Sequence, residues 1–430
     1  MPSNTPKKPV WYTSLPPRTF LLLAVSAAFL IRIIVVAFVY RDLPDAPLHY
    51  EQFGWEIGWT ARAIALGHGF SSPYYPFSGP TAMVPPLYTY LLAGIFRLFG
   101  VYTLTSGFII LALNSLFSAL TCIPIYFSAK FALSLRAARL AACIWAVYPF
   151  AIFFSAGRVW EYALTSLLFT TTFCIAQRIH LRPRYSAWLG FGALYGLTLL
   201  SNPSVLTVFP FLLLIALWKL KNSRWLHGAV ACLGLVVVIA PWCVRNYREL
   251  HVLTPVRDNA WTEIWAGNNG DTFAPNIPST HPASNPVEMQ RFLAVGETKY
   301  IAEKHALAVN FIRQHPELFL RYTVHRFVFY WTGYWSLSRA YRDFDPTEPA
   351  NIFHCTVLTL LMLLGVRRFW RFDRAAALPY LVLIAVFPLT YYLSHPAMDY
   401  RQPIEPAIVI LIAAAFTLRK PATLKSAQAA

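Results

Sequence analysis

The chain has 430 residues, of which 57% are hydrophobic and only 13% are charged. A soluble globular domain usually carries about 25% charged residues, so this composition excludes an ordinary soluble protein. The net charge of +17 does not indicate a nucleic-acid partner, because the basic residues cluster in short links between apolar segments, which is the positive-inside pattern of membrane proteins.

The first predicted element is a transmembrane helix over residues 19–40. Its apolar run is longer than that of a cleaved signal peptide, and Lys7, Lys8 and Arg18 precede it. We therefore expect an uncleaved helix with a cytoplasmic N-terminus. Arg32 lies within this helix, where a charge usually faces the protein interior and pairs with an acid or with carbonyl groups.

Ten apolar segments approach the length needed to cross a bilayer, which predicts an all-α integral membrane protein. They lie at residues 19–40, 104–129, 139–156, 160–178, 186–200, 203–218, 227–244, 351–366, 376–393 and 404–418. With ten crossings both termini are cytoplasmic, and of the 19 acidic residues only Asp373 falls in a cytoplasmic link. This pattern predicts a multi-pass protein of the cell (inner) membrane whose acidic groups and active site are external or periplasmic.

Two further apolar segments, 85–100 and 318–335, contain charged residues. Counting either one alone as a crossing would reverse the orientation of the basic links that follow it. We therefore predict that both form helices that lie on the membrane surface.

Two long external segments are predicted, at residues 41–103 and 245–350, within a single membrane domain over 1–430. The second segment contains Gly267-Asn-Asn-Gly270 and a proline-rich stretch, which are typical of a loop, followed by a predicted helix over 287–314.

Metal ligation is not predicted from the sequence. None of the six cysteines has metal-ligand spacing, and the external histidines form no metal-binding pattern with acidic residues. We therefore expect no metal and no cofactor.

The first external segment contains two glutamates that could carry chemistry. Apolar residues at helical spacing between Ile57 and Ala65 predict a short amphipathic helix that ends at Gly67. Glu51 and Glu56 lie at or near its start, where an external carboxylate suits a general base for an acceptor hydroxyl. The alternative is a solvated glutamate, or a charge stabilised by the helix dipole.

Six sequence motifs resemble the GT-C glycosyltransferases, in the order of that family and over almost the whole chain. The resemblance is closest to the branch that includes protein O-mannosyltransferases, the aminoarabinose transferase of lipid A and bacterial galacturonosyltransferases. The motifs lie at residues 61–74, 79–100, 240–247, 267–270, 315–321 and 400–406.

The resemblance implies a GT-C-like membrane fold and a sugar donor linked to polyprenyl phosphate, bound within the membrane. It implies that an external carboxylate deprotonates a hydroxyl of a lipid, glycan or protein acceptor, and that attack inverts the anomeric centre. Basic and tyrosine side chains would hold the leaving phosphate. The transferred sugar could be a hexose or a pentose, and no nucleotide-binding domain is needed.

The resemblance also suggests catalytic residues. The family usually has an Asp shortly before the first surface helix, and this chain has none there, so Glu56 is the first choice and Glu51 the second. Glu161 matches the family's second acid; an ion pair with Arg158 is the alternative. Val84 stands where some relatives place a phosphate-binding Lys, so the phosphate contact must come from elsewhere.

Four residues are predicted to bind the donor phosphate. Arg245 comes first because it ends an apolar helix on the external side; a snorkelling interfacial arginine is the alternative. Arg401 beside Tyr400 comes second. Arg62 is a further choice, although helices lying on anionic lipid carry such residues in any case.

A transporter or flippase of lipid-linked sugars is the main alternative function. Transporters often contain internal repeats and charges at the membrane midplane. Here no repeat is evident, and apart from Arg32 the predicted spans lack central charges. A non-catalytic membrane scaffold is a third possibility.

Overall fold

The computed structural model describes residues 15–41, 53–74, 77–270, 279–335, 339, 348–395 and 397–418. Glu51 lies outside these residues. The described part is helical, and its β-structure is confined to one isolated bridge between Ser71 and Pro80.

The described part of the first half of the chain forms ten α-helices. They are α1 (Pro17–Arg41), α2 (Trp55–Ala65), α3 (Pro86–Phe99), α4 (Leu104–Leu120), α5 (Cys122–Ala132), α6 (Leu135–Ala146), α7 (Pro149–Ala156), α8 (Tyr162–Ala176), α9 (Tyr185–Ser201) and α10 (Phe209–Trp218).

Nine helices follow in the described part of the second half. They are α11 (Arg224–Leu250), α12 (Ala260–Gly267), α13 (Pro286–Val295), α14 (Glu297–Gln314), α15 (Pro316–Thr332), α16 (Glu348–Phe372), α17 (Arg374–Val386), α18 (Leu389–Leu393) and α19 (Glu405–Thr417).

Each of the ten predicted apolar segments contains helix. Among the described residues, five helical stretches are long and apolar enough to cross a membrane, and the pair α6 and α7, bent by 45°, would make a sixth. The five are Pro17–Val39, Leu104–Ala132, Arg224–Leu250, Pro349–Phe372 and Arg374–Leu393. The chain is thus a multi-pass membrane protein by helix length and composition, while the number ten and the orientation stay predictions.

The two predicted surface helices correspond to α3 and α15, and their placement at a membrane surface stays a prediction. The helix expected over 287–314 is instead two helices, α13 and α14. Gly296 separates them with a φ of +78°, a left-handed conformation that ends one helix before the next begins.

Close packing of small residues holds the bundle together. α9 and α11 approach so closely that a Cβ on Gly192 would clash with the carbonyl of Ala231, and Gly365 of α16 likewise lies against Leu411 of α19. Such contacts are typical of helix packing in membranes, where small residues let backbones approach. α19 is apolar all round and buried along its length, so it lies at the centre of the bundle.

Arg32 of α1 is fully buried, as expected for a charge within an apolar helix. Its guanidinium donates to the carbonyls of Ala28, Ala146 and Trp145 and to the Ser118 hydroxyl, at 2.9–3.1 Å. These acceptors fix α1 against α4 and α6, so the prediction of carbonyl partners is confirmed.

Candidate active site

The helix that carries Glu56 packs against the loop that carries Glu161. α2 begins after Gly54, whose φ is +85°. An added Cβ there would clash with the carbonyl oxygen of Val159, so only glycine allows this approach. At its other end α2 closes as predicted, with Gly67 in a left-handed conformation.

Glu56 lies in the first turn of α2, where the helix dipole stabilises a negative charge. Its Oε1 is 2.8 Å from Nε2 of His281, and these side chains are 17% and 40% exposed. Burial lowers the pKa of His281, but the hydrogen bond to Glu56 and the charges of Glu56 and Glu263 outweigh it, so the pKa is raised. The pair can therefore exchange a proton and also reach solvent.

Glu161 is almost fully buried in the loop before α8. Its Oε1 accepts a hydrogen bond from Asn202 at 3.4 Å. Burial raises the pKa of this carboxyl to about 8, against the opposing charge of Arg257, so Glu161 is mostly protonated at neutral pH. The ion pair with Arg158 is not among the salt bridges of the described residues; that guanidinium lies over the Phe153 ring.

Glu263 of α12 forms a second Glu–His pair. Its Oε2 is 2.6 Å from Nε2 of His395, and its Oε1 accepts from Asn259 at 2.5 Å. Burial opposes its ionisation, but the bond to His395 and the charges of His395 and Arg257 lower its pKa to about 2. Glu263 is therefore negative at physiological pH.

Arg257 lies close to Glu263. Its Nε donates to the Met83 carbonyl at 2.6 Å, and its Nη2 is 3.9 Å from Glu263. Its positive charge also lowers the pKa of Glu161, against the larger effect of burial. Arg257 is thus a positive charge close to Glu263 that also acts on Glu161, and we call Glu56, Glu161, Arg257 and Glu263 the acidic cluster.

Two acids, Asp258 and Glu297, form a further pair, in which the side chains are hydrogen-bonded to each other. Burial raises the pKa of Asp258 to about 6, with Arg245 and Arg257 opposing the rise. Burial and the neighbouring Asp258 raise the pKa of Glu297 well above its ordinary value, against a hydrogen bond from Thr81. Two carboxyls bonded in this way share a proton.

These residues also bind the short segment 81–83, which belongs to the 41–103 segment predicted to be external. Its backbone polar groups bind side or main chains of the 245–350 segment. Arg245 donates to the Thr81 carbonyl at 2.6 Å, Ala82 N–H donates to Glu297 at 2.6 Å, Asp258 N–H donates to the Ala82 carbonyl at 3.2 Å, and Arg257 binds Met83 as above. Residues of the 245–350 segment thus contact residues 81–83 of the 41–103 segment directly.

Arg245 and Arg62 both contact residues of the 41–103 segment. The Arg245 guanidinium donates to the carbonyls of Thr81 and Phe70 and lies 5.0 Å from the Trp242 ring centroid. Arg62 lies 5.0 Å over the ring of Phe77. Arg245 therefore joins α11 to the loop, and the phosphate roles of both arginines stay predictions.

Tyr400 and Arg401 differ in their surroundings. The Tyr400 hydroxyl is 3.4 Å from His395, at the edge of the acidic cluster. Arg401 is fully buried, with Nε 2.9 Å from Glu405, which in turn accepts from the Tyr148 hydroxyl at 2.5 Å. Its charge is already balanced within the protein, which disfavours the predicted phosphate contact.

Sequence reasoning missed Arg257, Glu263 and the roles of His281 and His395. One signal was available: Glu263 lies four residues before Gly267, which begins the Gly-Asn-Asn-Gly motif, and on the same helix. Within the described residues, no group of three or more His, Cys, Asp or Glu side chains could hold a metal ion.

Comparison with known proteins gives one family model and several solved structures. Residues 83–244 match the model of dolichyl-phosphate-mannose-protein mannosyltransferases. No curated protein sequence matches the chain. The apo oligosaccharyltransferase of Archaeoglobus fulgidus aligns with a TM-score of 0.56 and 13% identity, over 94% of this chain and 50% of that one. The chain therefore shares the fold of this oligosaccharyltransferase.

Two further structures are similar. The same archaeal oligosaccharyltransferase in complex with Zn and sulfate aligns with a TM-score of 0.52 and 14% identity, over 90% of this chain and 48% of that one. ArnT from Cupriavidus metallidurans bound to undecaprenyl phosphate aligns with a TM-score of 0.40 and 13% identity, over 93% and 78%. The chain spans about half the length of the archaeal enzyme.

Proposed function

We propose that the chain is a membrane glycosyltransferase that moves a sugar from a polyprenyl-phosphate donor to an acceptor hydroxyl, with inversion at the anomeric carbon. The match to a family named for dolichyl-phosphate-mannose supports the lipid-phosphate donor. The fold of an oligosaccharyltransferase supports glycosyl transfer at the membrane.

The observation that carries the proposal is the Glu56–His281 pair, whose histidine also responds to the charge of Glu263. As the acceptor oxygen attacks the anomeric carbon, the Glu56 carboxylate takes the hydroxyl proton, and the bond from that carbon to the phosphate oxygen breaks. His281 is 40% exposed, so it provides a route for the proton to solvent.

Arg257 is the residue we propose for the leaving phosphate. Arg245 has both terminal nitrogens on backbone carbonyls, and Arg401 is paired with Glu405. Glu161, mostly protonated below pH 8, adds little negative charge to repel a phosphate. The Tyr400 hydroxyl is the second group that we propose as a hydrogen-bond donor to the leaving phosphate. Arg62 would act on the phosphate only through its charge at long range.

The test is transfer by the purified protein from a panel of polyprenyl-phosphate hexoses and pentoses, read as release of polyprenyl phosphate. We expect Glu56→Gln to lower the rate by about 100-fold or more, because general bases contribute about 10²–10⁴-fold. Arg257→Lys should raise the donor KM, since Lys lacks the planar fork.

Glu317→Gln is the matched control, because Glu317 occupies the first turn of another helix in the second external segment and is exposed. Its variant should transfer normally. A wild-type rate in Glu56→Gln contradicts the base assignment, and no release of polyprenyl phosphate from any donor by the wild type contradicts the proposed reaction.

A further inference from the structure

A cleft of about 520 Å³ lies between the 67–80 loop, α3 and the external end of α11. None of Glu56, Glu161, Arg257 and Glu263 lines it, so it is separate from the acidic cluster. Its volume is within the range of small-molecule sites, about 300–1,000 Å³.

Aromatic rings stand on two sides of the cleft. Tyr90 of α3 is 49% exposed and Phe77 of the loop is 45% exposed. The Phe77 ring lies 4.2 Å from the imidazole of His68, which extends this face. Rings at such positions offer flat apolar surfaces with a polar edge, which suit the C–H faces of a sugar.

The polar groups of the cleft indicate a neutral ligand. Arg245 and Glu249 lie one turn apart on α11, and both line the cleft with Ser72. Glu249 supplies a negative charge close to Arg245, which opposes an anion. A carboxylate accepts hydrogen bonds from hydroxyl groups, and a serine hydroxyl can both donate and accept.

Part of the wall is bare backbone. Gly69 and Gly79 line the cleft, and a Cβ added to either would meet no atom within 4 Å. Both have a left-handed backbone (φ +71° and +90°), which favours glycine, and the space beside them is open.

We propose that this cleft binds a neutral carbohydrate of one or two sugar units. Arg62, which lies over Phe77, is six residues from Glu56 on α2, a rise of about 9 Å at 1.5 Å per residue. The cleft would thus hold part of a glycan acceptor whose reacting hydroxyl is at Glu56. This acceptor role rests on the proposed function; carbohydrate binding itself does not.

Saturation-transfer difference NMR tests the binding. The full chain, in nanodiscs of phosphatidylcholine, is mixed with methyl glycosides of common hexoses and pentoses and with their disaccharides. We expect saturation of at least one glycoside, falling about five-fold in Tyr90→Leu and in Glu249→Gln, as loss of one stacked ring or one hydrogen bond predicts. Glu249→Gln is isosteric, so it keeps the fold.

Tyr247→Ala is the matched control, because this tyrosine of α11 is 58% exposed and does not line the cleft. It should bind as the wild type does. No saturated glycoside, or equal saturation in the cleft variants, overturns the proposal. Stronger saturation of sn-glycerol 1-phosphate than of any glycoside also overturns it, in favour of a lipid headgroup. Binding without any transfer leaves the cleft proposal standing and removes the proposed function.

Discussion

Replacing Asp258 with asparagine should remove a pH dependence that is built into the contact between the 41–103 and 245–350 segments. In the wild type, Asp258 and Glu297 share a proton, and Glu297 also binds the Ala82 N–H. The asparagine amide would carry its own N–H at every pH, so its bond to the Glu297 carboxylate would need no added proton.

The magnitude follows from the pKa of Asp258, which burial raises from 3.8 to about 6, a difference worth about 3 kcal/mol. A pKa that is higher in the folded than in the unfolded state gives stability that is present below pH 3.8 and lost as pH rises through about 6. Glu297, with its pKa raised further, extends this loss in the same direction to higher pH.

The assay is the thermal midpoint of the purified protein in detergent from pH 5 to pH 8. The wild type should lose stability across this range, and Asp258→Asn should have a clearly smaller slope. Glu263 does not contribute to the slope, because its pKa of about 2 keeps it ionised throughout. His281, whose pKa is also raised, makes the protein less stable as pH rises. Because His281 is present in both proteins, the difference between their slopes isolates the carboxyl pair.

Glu303→Gln is the control, since Glu303 lies on the same helix as Glu297 but forms a partly exposed ion pair with Arg291. Such pairs contribute about 0–1 kcal/mol, so the control should keep the wild-type slope. An Asp258→Asn slope equal to that of the wild type would refute the shared proton.

Three further predictions concern packing, anchoring and topology. Gly54→Ala should destabilise the protein by about 1–3 kcal/mol and slow transfer, because its Cβ would clash with the Val159 carbonyl. In thermal denaturation Gly94→Ala should be near neutral, because the space around Gly94 is open. Arg245→Ala should lower the thermal midpoint through loss of its carbonyl contacts, and a raised donor KM at unchanged stability would instead support phosphate binding. A reporter fused after Ala430 should read as cytoplasmic; an external signal would contradict the ten-helix topology.

The helices that carry the candidate site were predictable because their signals are local. Apolar spacing and Gly67 were sufficient to predict α2, and a long apolar run was sufficient to predict α1. The break at Gly296 was missed, because a glycine within a helical pattern is often tolerated and only the backbone conformation decides.

The residues that form the candidate site were only partly predictable from the sequence. Glu56 and Glu161 could be proposed from position and resemblance, and both belong to the acidic cluster. The partners of Glu56 and Glu263 could not, since His281 and His395 lie more than a hundred residues away along the chain.

The sequence by itself determined a helical membrane protein, because bilayer crossing demands long apolar runs and the positive-inside rule acts through short basic links. Only the tertiary structure decided which charged side chains are paired with other groups of the protein. It pairs Arg401 with Glu405, binds Arg245 to carbonyls and places Arg257 close to Glu263. Each of these contacts depends on which groups come close together after folding. The spacing of residues along the chain does not give those distances.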